Sequence, residues 1–272
     1  LGAMGKAGAM PFHSWIPLAA EDAPSPFLAA FPGSLEKVLG IGLAIKIVTQ
    51  IYDVQPGSAM STFVLVVGAV TLFFGVAMAL VQKDMKKLLS YHAISQVGYM
   101  LLGVGSGLPI GIIGALYHMV NNALYKSGLF LTAGAIERQT GTTDLHRVGG
   151  LGRAMPVTMV CFIIFGLSIA GFPGTNGFFS KELVFDAALE SGVVYYILAL
   201  VGAVMTAISF LKLGGAAFFG ALKLPQGVRQ VKEGSLGMTV PAITLAALCL
   251  FFGIGSGVVH TLLLQPALGQ AE

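Results

Sequence analysis

One interrupted apolar run decides the fold: residues 170–188 read "AGFPGTNGFFSKELVFDAA". A proline and two glycines lie within residues 173–177, and the charged pair Lys181 and Glu182 follows them. Because proline and glycine interrupt helices, the run predicts a membrane helix that is broken at residues 173–177. Irregular backbone at membrane depth is tolerated where it is buried in protein or lines a watery cavity. We therefore interpret the break, with its lysine, as a functional site.

The composition of the chain is that of an integral membrane protein. Of its 272 residues, 56% are hydrophobic and only 10% are charged, which excludes a soluble globular domain. Apolar stretches of about 20 residues recur, as membrane-spanning helices require, whereas the ~10-residue alternation of a barrel is missing. The fold class is therefore all-α, a polytopic transmembrane helical bundle that meets the lipid bilayer. The net charge of +3 gives no sign of a nucleic-acid partner.

Apolar runs and helix breakers predict eight segments. They cover residues 1–15, 26–51, 61–82, 87–105, 110–136, 155–188, 193–221 and 238–264. The chain opens with Leu1 in an apolar context, and from these residues no signal peptide is expected. We expect it to be the later part of a longer protein, or a partial version of one.

Cationic residues are distributed unequally between alternate loops. Three loops together carry Lys83, Lys86, Lys87, Arg138, Arg147, Arg153, Lys223, Arg229 and Lys232. The loops between them, at residues 52–60, 105–109 and 191–192, contain no lysine or arginine. Because short cytoplasmic loops collect positive charge, the three basic loops are predicted to face the cytoplasm.

Six lysines remain within the apolar segments: Lys6, Lys37, Lys46, Lys126, Lys181 and Lys212. A charged side chain at the bilayer centre costs about 2.5–3.5 kcal/mol, so several of them indicate a function. A lysine removed from water can release its proton, whereas an arginine stays protonated. The six are therefore predicted to form a row of buried ion-carrying groups. Lys46 and Lys212 lie closer to segment ends and could instead extend to the membrane surface.

Two local patterns refine this row. His118, Asn122 and Lys126 are spaced i, i+4 and i+8, so they stack on one helix face about 6 Å apart in rise and could relay protons. Alternatively, His118 and the Asn pair could hydrogen-bond neighbouring helices. Glu36 directly precedes Lys37, and because adjacent helix positions do not face each other we expect each to have a separate partner.

The fourth segment begins with basic residues and continues with polar ones. Lys86, Lys87 and His92 are predicted to form a cytoplasmic entry, and Ser90, Ser95, Gln96 and Tyr99 could hold water leading inward. His92 could equally be structural. No histidine pair has ligand-like spacing, and Cys161 and Cys249 show neither metal nor disulfide spacing, so no metal site is expected.

Four stretches in order resemble a known family: "KAGAMPFHSWIPLAAEDAPSP", "DMKKLLSYHAISQVGYMLLG", "ALYHMVNNALYKSGLFLTAG" and "GTNGFFSKEL". They are similar to the antiporter-like membrane subunits of respiratory complex I, of Mrp-type cation/proton antiporters and of energy-converting membrane-bound [NiFe] hydrogenases. The resemblance implies fourteen core helices in two inverted five-helix bundles, each with one broken helix. This chain resembles helices seven to fourteen. Residues 1–51 would end the first bundle, 59–221 would form the complete second bundle, and 237–265 would add one helix.

The resemblance also assigns roles to individual residues. Lys6 resembles the lysine at the first helix break and Lys181 the one at the second. Lys37 resembles the lysine of helix eight, and Lys126 with His118 the central pair of helix eleven. Family members often carry a second histidine where this chain has Asn122, which weakens a continuous relay of titratable groups.

The function implied is translocation of H+ or Na+ through the buried lysines. Ions would enter at the basic mouth, reach Lys126 and His118, and leave through Lys181 and Glu182. Residues 19–41 resemble the hydrogenase branch, which implies other antiporter-like and small membrane subunits and a peripheral redox arm in a prokaryotic cell membrane. Iron–sulfur clusters, and [NiFe] or flavin, would belong to those partners, because two isolated cysteines cannot ligate a cluster. The alternatives are an Mrp-type Na+/H+ antiporter subunit without a redox partner, or a non-conducting spacer.

Overall fold

Helices account for most of the chain in the computed structural model, which describes residues 1–259 and 261. The elements are α1 (Gly2–Ala7), α2 (Trp15–Asp22), α3 (Ser25–Ile51), α4 (Ala59–Val81), α5 (Met85–Gly105), α6 (Pro109–Thr140), α7 (Pro156–Ala170), α8 (Asn176–Ser191), α9 (Val193–Phe218), α10 (Leu236–Ile254) and α11 (Ser256–Val259). No strand occurs among these residues, so the all-α prediction is confirmed. Positions 260 and 262–265 of the predicted last helix lie outside the described residues.

Within the part of the chain that the structure describes, four helices are long and apolar enough to span a membrane, namely α3, α4, α9 and α10. On α4 the exposed side chains recur every three or four residues, at Phe63, Val66, Val70 and Phe74, as expected of a face that meets lipid. In contrast, α5 is buried along nearly its whole length and carries Ser90, His92, Ser95 and Gln96. The polar residues of the bundle are therefore inside it.

The centre of the bundle depends on close packing between α4 and α5. A Cβ at Gly98 would collide with the main chain of Leu72, and a Cβ at Gly75 would lie 2.8 Å from the amide nitrogen of Ser95. Small residues of this kind let membrane helices approach closely, because helix association in lipid relies on packing. This contact holds α5 in the interior with its polar residues.

The predicted helix break is present, with a different extent. The first half-helix, α7, ends at Ala170, where Gly171 takes a left-handed conformation with φ 84° and caps it. The second half, α8, starts at Asn176. The interruption therefore covers residues 171–175, not 173–177, because a glycine can end a helix before Pro173 does. Gly177 lies in the first turn of α8, and a side chain there would collide with the carbonyl of Ser168.

The three basic loops meet at one end of the bundle, here called the basic end (residues 82–84, 141–155 and 219–235). Lys86, Lys87 and Arg138, which were predicted to lie in these loops, belong instead to the adjoining end turns of α5 and α6. Leu145 donates its amide hydrogen to the carbonyl oxygen of Lys83 over 2.9 Å. Gly149 and Lys223 exchange two main-chain hydrogen bonds, of 2.9 and 3.1 Å. Loops on one side of a membrane can make such contacts, so the structure agrees with alternating membrane crossings.

Candidate functional site

The six lysines predicted to form one buried row separate into two groups. Lys37 and Lys126 are fully buried and Lys181 is 2% exposed. Lys6, Lys46 and Lys212 are exposed, so the prediction of burial is wrong for Lys6, whereas the exposure of Lys46 and Lys212 agrees with the alternative given for residues near segment ends. An apolar run in the sequence shows that a lysine lies within a membrane segment. Whether its side chain is buried depends on the helix face that it occupies.

Two of the exposed lysines have contacts that explain their positions. The ammonium of Lys212 donates to the carbonyl oxygens of Leu80 at 2.7 Å and Gln82 at 2.9 Å, and thereby caps the end of α4. The Lys6 ammonium lies 5.5 Å from the centroid of the Phe31 ring, within the range of a cation–π contact.

Glu36 and Lys37 bind each other, which corrects the expectation of separate partners. The Lys37 ammonium lies 2.7 Å from Glu36 Oε1, and both side chains have zero exposure. Both side chains are long and flexible. A buried charge without a partner is more unfavourable in free energy than bending two adjacent side chains of a helix towards each other. The pair follows a π-helical turn, Phe31–Leu35, a feature that is frequent at functional sites.

This pair gives a stability prediction. Glu36→Leu leaves the Lys37 charge buried and unpaired, and we expect a loss of about 3–5 kcal/mol in the free energy of unfolding. The double variant Glu36→Leu/Lys37→Met should recover most of that loss, because no charge remains to be compensated. Denaturant unfolding of the purified protein in detergent measures both effects. Glu21→Leu, which breaks a half-exposed pair with Lys87, is the matched control and should cost less than about 1 kcal/mol. A single Glu36→Leu variant as stable as the wild type would contradict the prediction.

Lys126 lies at the centre of α6 without a hydrogen-bond partner among the described residues. Its ammonium nitrogen is 5.9 Å from the centroid of the Phe130 ring. A buried amine of this kind opposes folding, since desolvation of its charged form is not compensated. Its presence therefore indicates a role other than stability.

His118 lies on α6 two turns before Lys126 and connects three helices. Its Nδ1 lies 3.0 Å from the Ser180 hydroxyl of α8, and its Nε2 lies 3.0 Å from Gln96 Oε1 of α5. The hydroxyl of Tyr125 is 3.4 Å from both His118 Nε2 and Gln96 Oε1. Asn122, in turn, donates over 3.3 Å to the carbonyl oxygen of Gly33 in the π-helical turn of α3. His118 and Asn122 thus bind neighbouring helices, and neither is hydrogen-bonded to Lys126.

Lys181 binds the end of the broken helix. Its ammonium donates to the carbonyl oxygens of Ile169 at 2.7 Å and Ala170 at 3.3 Å, and it lies 4.8 Å from the centroid of the Tyr99 ring. The C-terminal end of a helix carries a partial negative charge, which favours a cation there. Glu182, which the sequence places with Lys181 at the exit, is exposed and does not contact this ammonium. Adjacent residues on α8 point in different directions.

The three residues predicted as an entry bind in three different places. The Lys86 ammonium lies 2.8 Å from Glu137 Oε1 and 3.3 Å from the carbonyl oxygen of Ala23. Lys87 is half-exposed and paired with Glu21 at 2.7 Å. His92 is buried, with its Nε2 2.7 Å from the Ser209 hydroxyl of α9.

Two further candidate site residues, Glu137 and Asn176, were not predicted from the sequence. Glu137 occupies the last turn of α6, where the helix dipole disfavours a carboxylate, and this unfavourable position was a signal that could have been used. Asn176 exchanges hydrogen bonds with Asn121 between side-chain amides and main-chain oxygens, at 2.6 and 3.4 Å. Only the fold brings these two residues together.

Buried polar atoms without a protein partner concentrate around this site. Within the described residues they include Ser90 Oγ, His92 Nδ1, Ser95 Oγ, Gln96 Nε2, Asn121 Oδ1, Asn122 Oδ1, Lys126 Nζ, Ser168 Oγ and Asn176 Oδ1. Buried polar groups are normally hydrogen-bonded, and internal water is the usual partner where protein atoms are not available. Internal water is therefore the expected partner of these atoms.

Comparison with known proteins identifies related chains. Residues 1–206 match the family model described as NADH:quinone oxidoreductase/Mrp antiporter, TM. Over 263 residues the chain is 37% identical to one of the Na(+)/H(+) antiporter subunits of Alkalihalophilus pseudofirmus, covering 96% of this chain and 52% of that protein. The chain thus spans about half the length of that relative.

Two solved structures share the fold. A chain of the Mrp complex from Dietzia sp. superposes with a TM-score of 0.86 at 26% identity, over 94% of this chain and 55% of that one. A chain of the membrane-bound sulfane sulfur reductase, an archaeal respiratory membrane complex, also gives 0.86, at 30% identity, over 96% of this chain and 45% of that one.

Proposed function

Because the chain belongs to the NADH:quinone oxidoreductase/Mrp antiporter transmembrane family, we propose that it translocates H+ or Na+ as an antiporter-like subunit of a membrane complex. The observation that carries this proposal is the set of three buried lysines, Lys37, Lys126 and Lys181, inside a bundle that spans the membrane. They lie on three different helices, α3, α6 and α8. The described residues also include buried polar atoms that have no hydrogen-bond partner in the protein. Such residues within membrane segments mark ion pathways.

The three lysines differ in how their charge is compensated, which suggests how an ion could be passed between them. Lys37 has a carboxylate partner, Lys126 has no hydrogen-bond partner among the described residues, and Lys181 has the carbonyl end of α7. When Glu36 and Lys37 separate, the Lys37 charge is less compensated and repels a proton on Lys126 more strongly. The proton would then move past His118 and Ser180 to Lys181, where the helix end receives a cation. Glu36 and Lys37 thus act as a switch.

We propose that electron transfer in a partner drives these changes, as in a complex of the energy-converting hydrogenase or complex I type. The likeness to a chain of the sulfane sulfur reductase, a respiratory complex, supports a redox-driven assembly. The partners would be other antiporter-like and small membrane subunits and a redox arm that holds the iron–sulfur clusters, with [NiFe] or flavin. The matches to Mrp proteins favour the second candidate, a Na+/H+ antiporter subunit without redox partners. In either assembly, the positive charge of the basic end suggests that it faces the cytoplasm of a prokaryotic cell.

One experiment separates these proposals. The full-length chain is purified with its associated subunits, analysed for iron, nickel and flavin, and reconstituted into vesicles. A redox-driven subunit should carry these cofactors in its partners and take up H+ or Na+ only when an electron donor and acceptor are supplied. Exchange of Na+ for H+ by a complex free of iron and flavin would support the Mrp-type candidate instead. Vesicles that move neither ion under either condition would show a spacer and reject translocation.

A further inference from the structure

Three polar side chains of α6 bind successive turns of α3. The Ser25 hydroxyl donates to Glu137 Oε2 over 2.9 Å. The Ser127 hydroxyl donates to the carbonyl oxygen of Ala29 over 2.7 Å, and Asn122 donates to that of Gly33 over 3.3 Å. These contacts form the α3–α6 seam, defined by the three pairs Ser25–Glu137, Ala29–Ser127 and Gly33–Asn122.

The seam leads from the basic end towards the buried lysines. Ser25, Ala29 and Gly33 are four residues apart and therefore share one face of α3, on which the next position is Lys37. The contacts of the seam therefore run from Glu137 in the last turn of α6 to Asn122, which lies one turn from Lys126 on the same face of α6.

At the basic end the seam begins beside a cavity of about 460 Å³. The side chain of Glu137 is 34% exposed, whereas that of its partner Lys86 is only 6% exposed. The charged residues that line this cavity with Glu137 are Lys86 from α5, Arg138 from α6 and Asp22 at the end of α2, and of these Lys86 contacts the carboxylate. The residues of α10 that line the cavity, Gly237 and Met238, carry no charge. The Glu137 carboxylate thus lines the cavity and also belongs to the seam.

We propose that ions enter this chain from the basic end along the α3–α6 seam, with the Glu137 carboxylate as the first acceptor of the entering proton or hydrated cation. The inference rests on the proposed translocation function. It assigns the entry to a residue outside the group of Lys86, Lys87 and His92. Lys87 is paired with Glu21, away from the cavity lining, and His92 is directed to Ser209 of α9.

The chemistry of this entry step balances without a further reactant. A hydronium ion in the cavity transfers its proton to Glu137, giving a carboxylic acid and water. The neutral acid no longer holds the Lys86 ammonium as an ion pair, so the Lys86–Glu137 contact is weakened while the proton is present. Transfer through water along the seam to an unprotonated Lys126 then restores the carboxylate and gives an ammonium. An alkali cation would instead be bound by the carboxylate oxygens before moving on.

The test compares two carboxylates at the same end of the bundle. The full-length chain in its complex is reconstituted in vesicles, and initial uptake is measured at increasing ion concentration presented on either side. For Glu137→Gln we expect the concentration for half-maximal uptake from the basic end to rise about tenfold or more, with no change from the opposite side. Glu21→Gln, which alters the pair with Lys87, should behave as the wild type from both sides. A general structural defect would affect both directions equally.

Uptake by Glu137→Gln equal to that of the wild type, or an equal change from both sides, would overturn the proposal. The Glu137→Gln substitution is not expected to prevent folding, because an amide oxygen can still accept from Lys86 and Ser25. If assembly nevertheless fails, the double variant Lys86→Met/Glu137→Gln removes the unpaired charge and is measured in the same way, with the same outcomes. Vesicles with the wild-type complex report separately on the proposed function. If they move no ion, translocation itself is rejected, whereas an unchanged Glu137→Gln variant beside an active wild type rejects only this entry.

Discussion

Lys126→Met is expected to abolish ion translocation while leaving the folded protein as stable as the wild type, or more stable. The Lys126 amine is fully buried and has no hydrogen-bond partner among the described residues. Methionine has a similar length and no charge, so it can occupy the same space without any polar atom to desolvate. Replacing buried charged groups by apolar ones of similar volume is often neutral or stabilising, by about 1–4 kcal/mol.

The opposite directions of the two effects make this a sharp test. A residue kept for packing would lose stability when replaced, and a residue kept for ion transfer would lose only transport. Uptake in vesicles should fall to the passive leak, while electron transfer to soluble acceptors in a redox-driven assembly continues. Denaturant unfolding in detergent measures stability on the same preparations.

The matched control is Lys212→Met, which also removes one ammonium from a membrane helix. Lys212 is exposed and caps the end of α4, so its loss should cost stability without abolishing uptake. Wild-type uptake by Lys126→Met would contradict the proposed pathway. So would equal loss of uptake in both variants, since the effect would then not be specific to the buried amine.

The sequence predicts those features that depend on hydrophobicity and on helix breakers. Apolar runs predicted the membrane bundle, four ordered motifs predicted the family, and Pro173 with its neighbouring glycines predicted the broken helix. Each of these is confirmed by the structure or by the family match. They could be predicted because each depends on local chemistry that does not change with the position of neighbouring helices.

The partners of individual charges could not be predicted, because they depend on where helices meet. Periodicity places both Lys6 and Lys37 within apolar segments, but the packing of the helices buries Lys37 on α3 and leaves Lys6 on α1 exposed. Glu137 was not predicted as a site because it follows the apolar run directly, where a loop was expected. Instead, α6 continues to Thr140 and brings Glu137 against Lys86. Main-chain partners are still harder to foresee, because every residue offers the same carbonyl group.

The contact between Lys181 and α7 shows what the break contributes. An intact helix would bond the carbonyl oxygens of Ile169 and Ala170 to amides further along the chain. Because α7 ends at Ala170, these two oxygens are free to accept from the Lys181 ammonium. Gly171 leaves room for this, since a Cβ there would lie 2.9 Å from Lys181 Cδ. The break therefore creates a cation site from the main chain alone, without a carboxylate.

We expect Lys181→Met to abolish translocation too, but with a loss of stability that Lys126→Met does not show. Removing the ammonium leaves two buried carbonyl oxygens at the end of α7 without their donor. Hydrogen bonds to charged groups contribute about 1.5–3 kcal/mol, so a decrease of that size in the free energy of unfolding is expected. The two variants would then have the same transport defect and different stabilities, in accordance with their different partners.

Lys181→Arg separates the cation-binding role of this site from proton release. The guanidinium can still donate to Ile169 and Ala170, so stability should lie closer to that of the wild type than for Lys181→Met. Arginine stays protonated in proteins, so a step that requires release of a proton should be blocked and uptake should remain at the passive leak. Glu182→Gln is the matched control and should transport normally, because that exposed carboxylate does not contact Lys181. Transport by Lys181→Arg would show that this position binds charge without releasing a proton. Loss of transport in Glu182→Gln would show that the Glu182 carboxylate is needed together with Lys181.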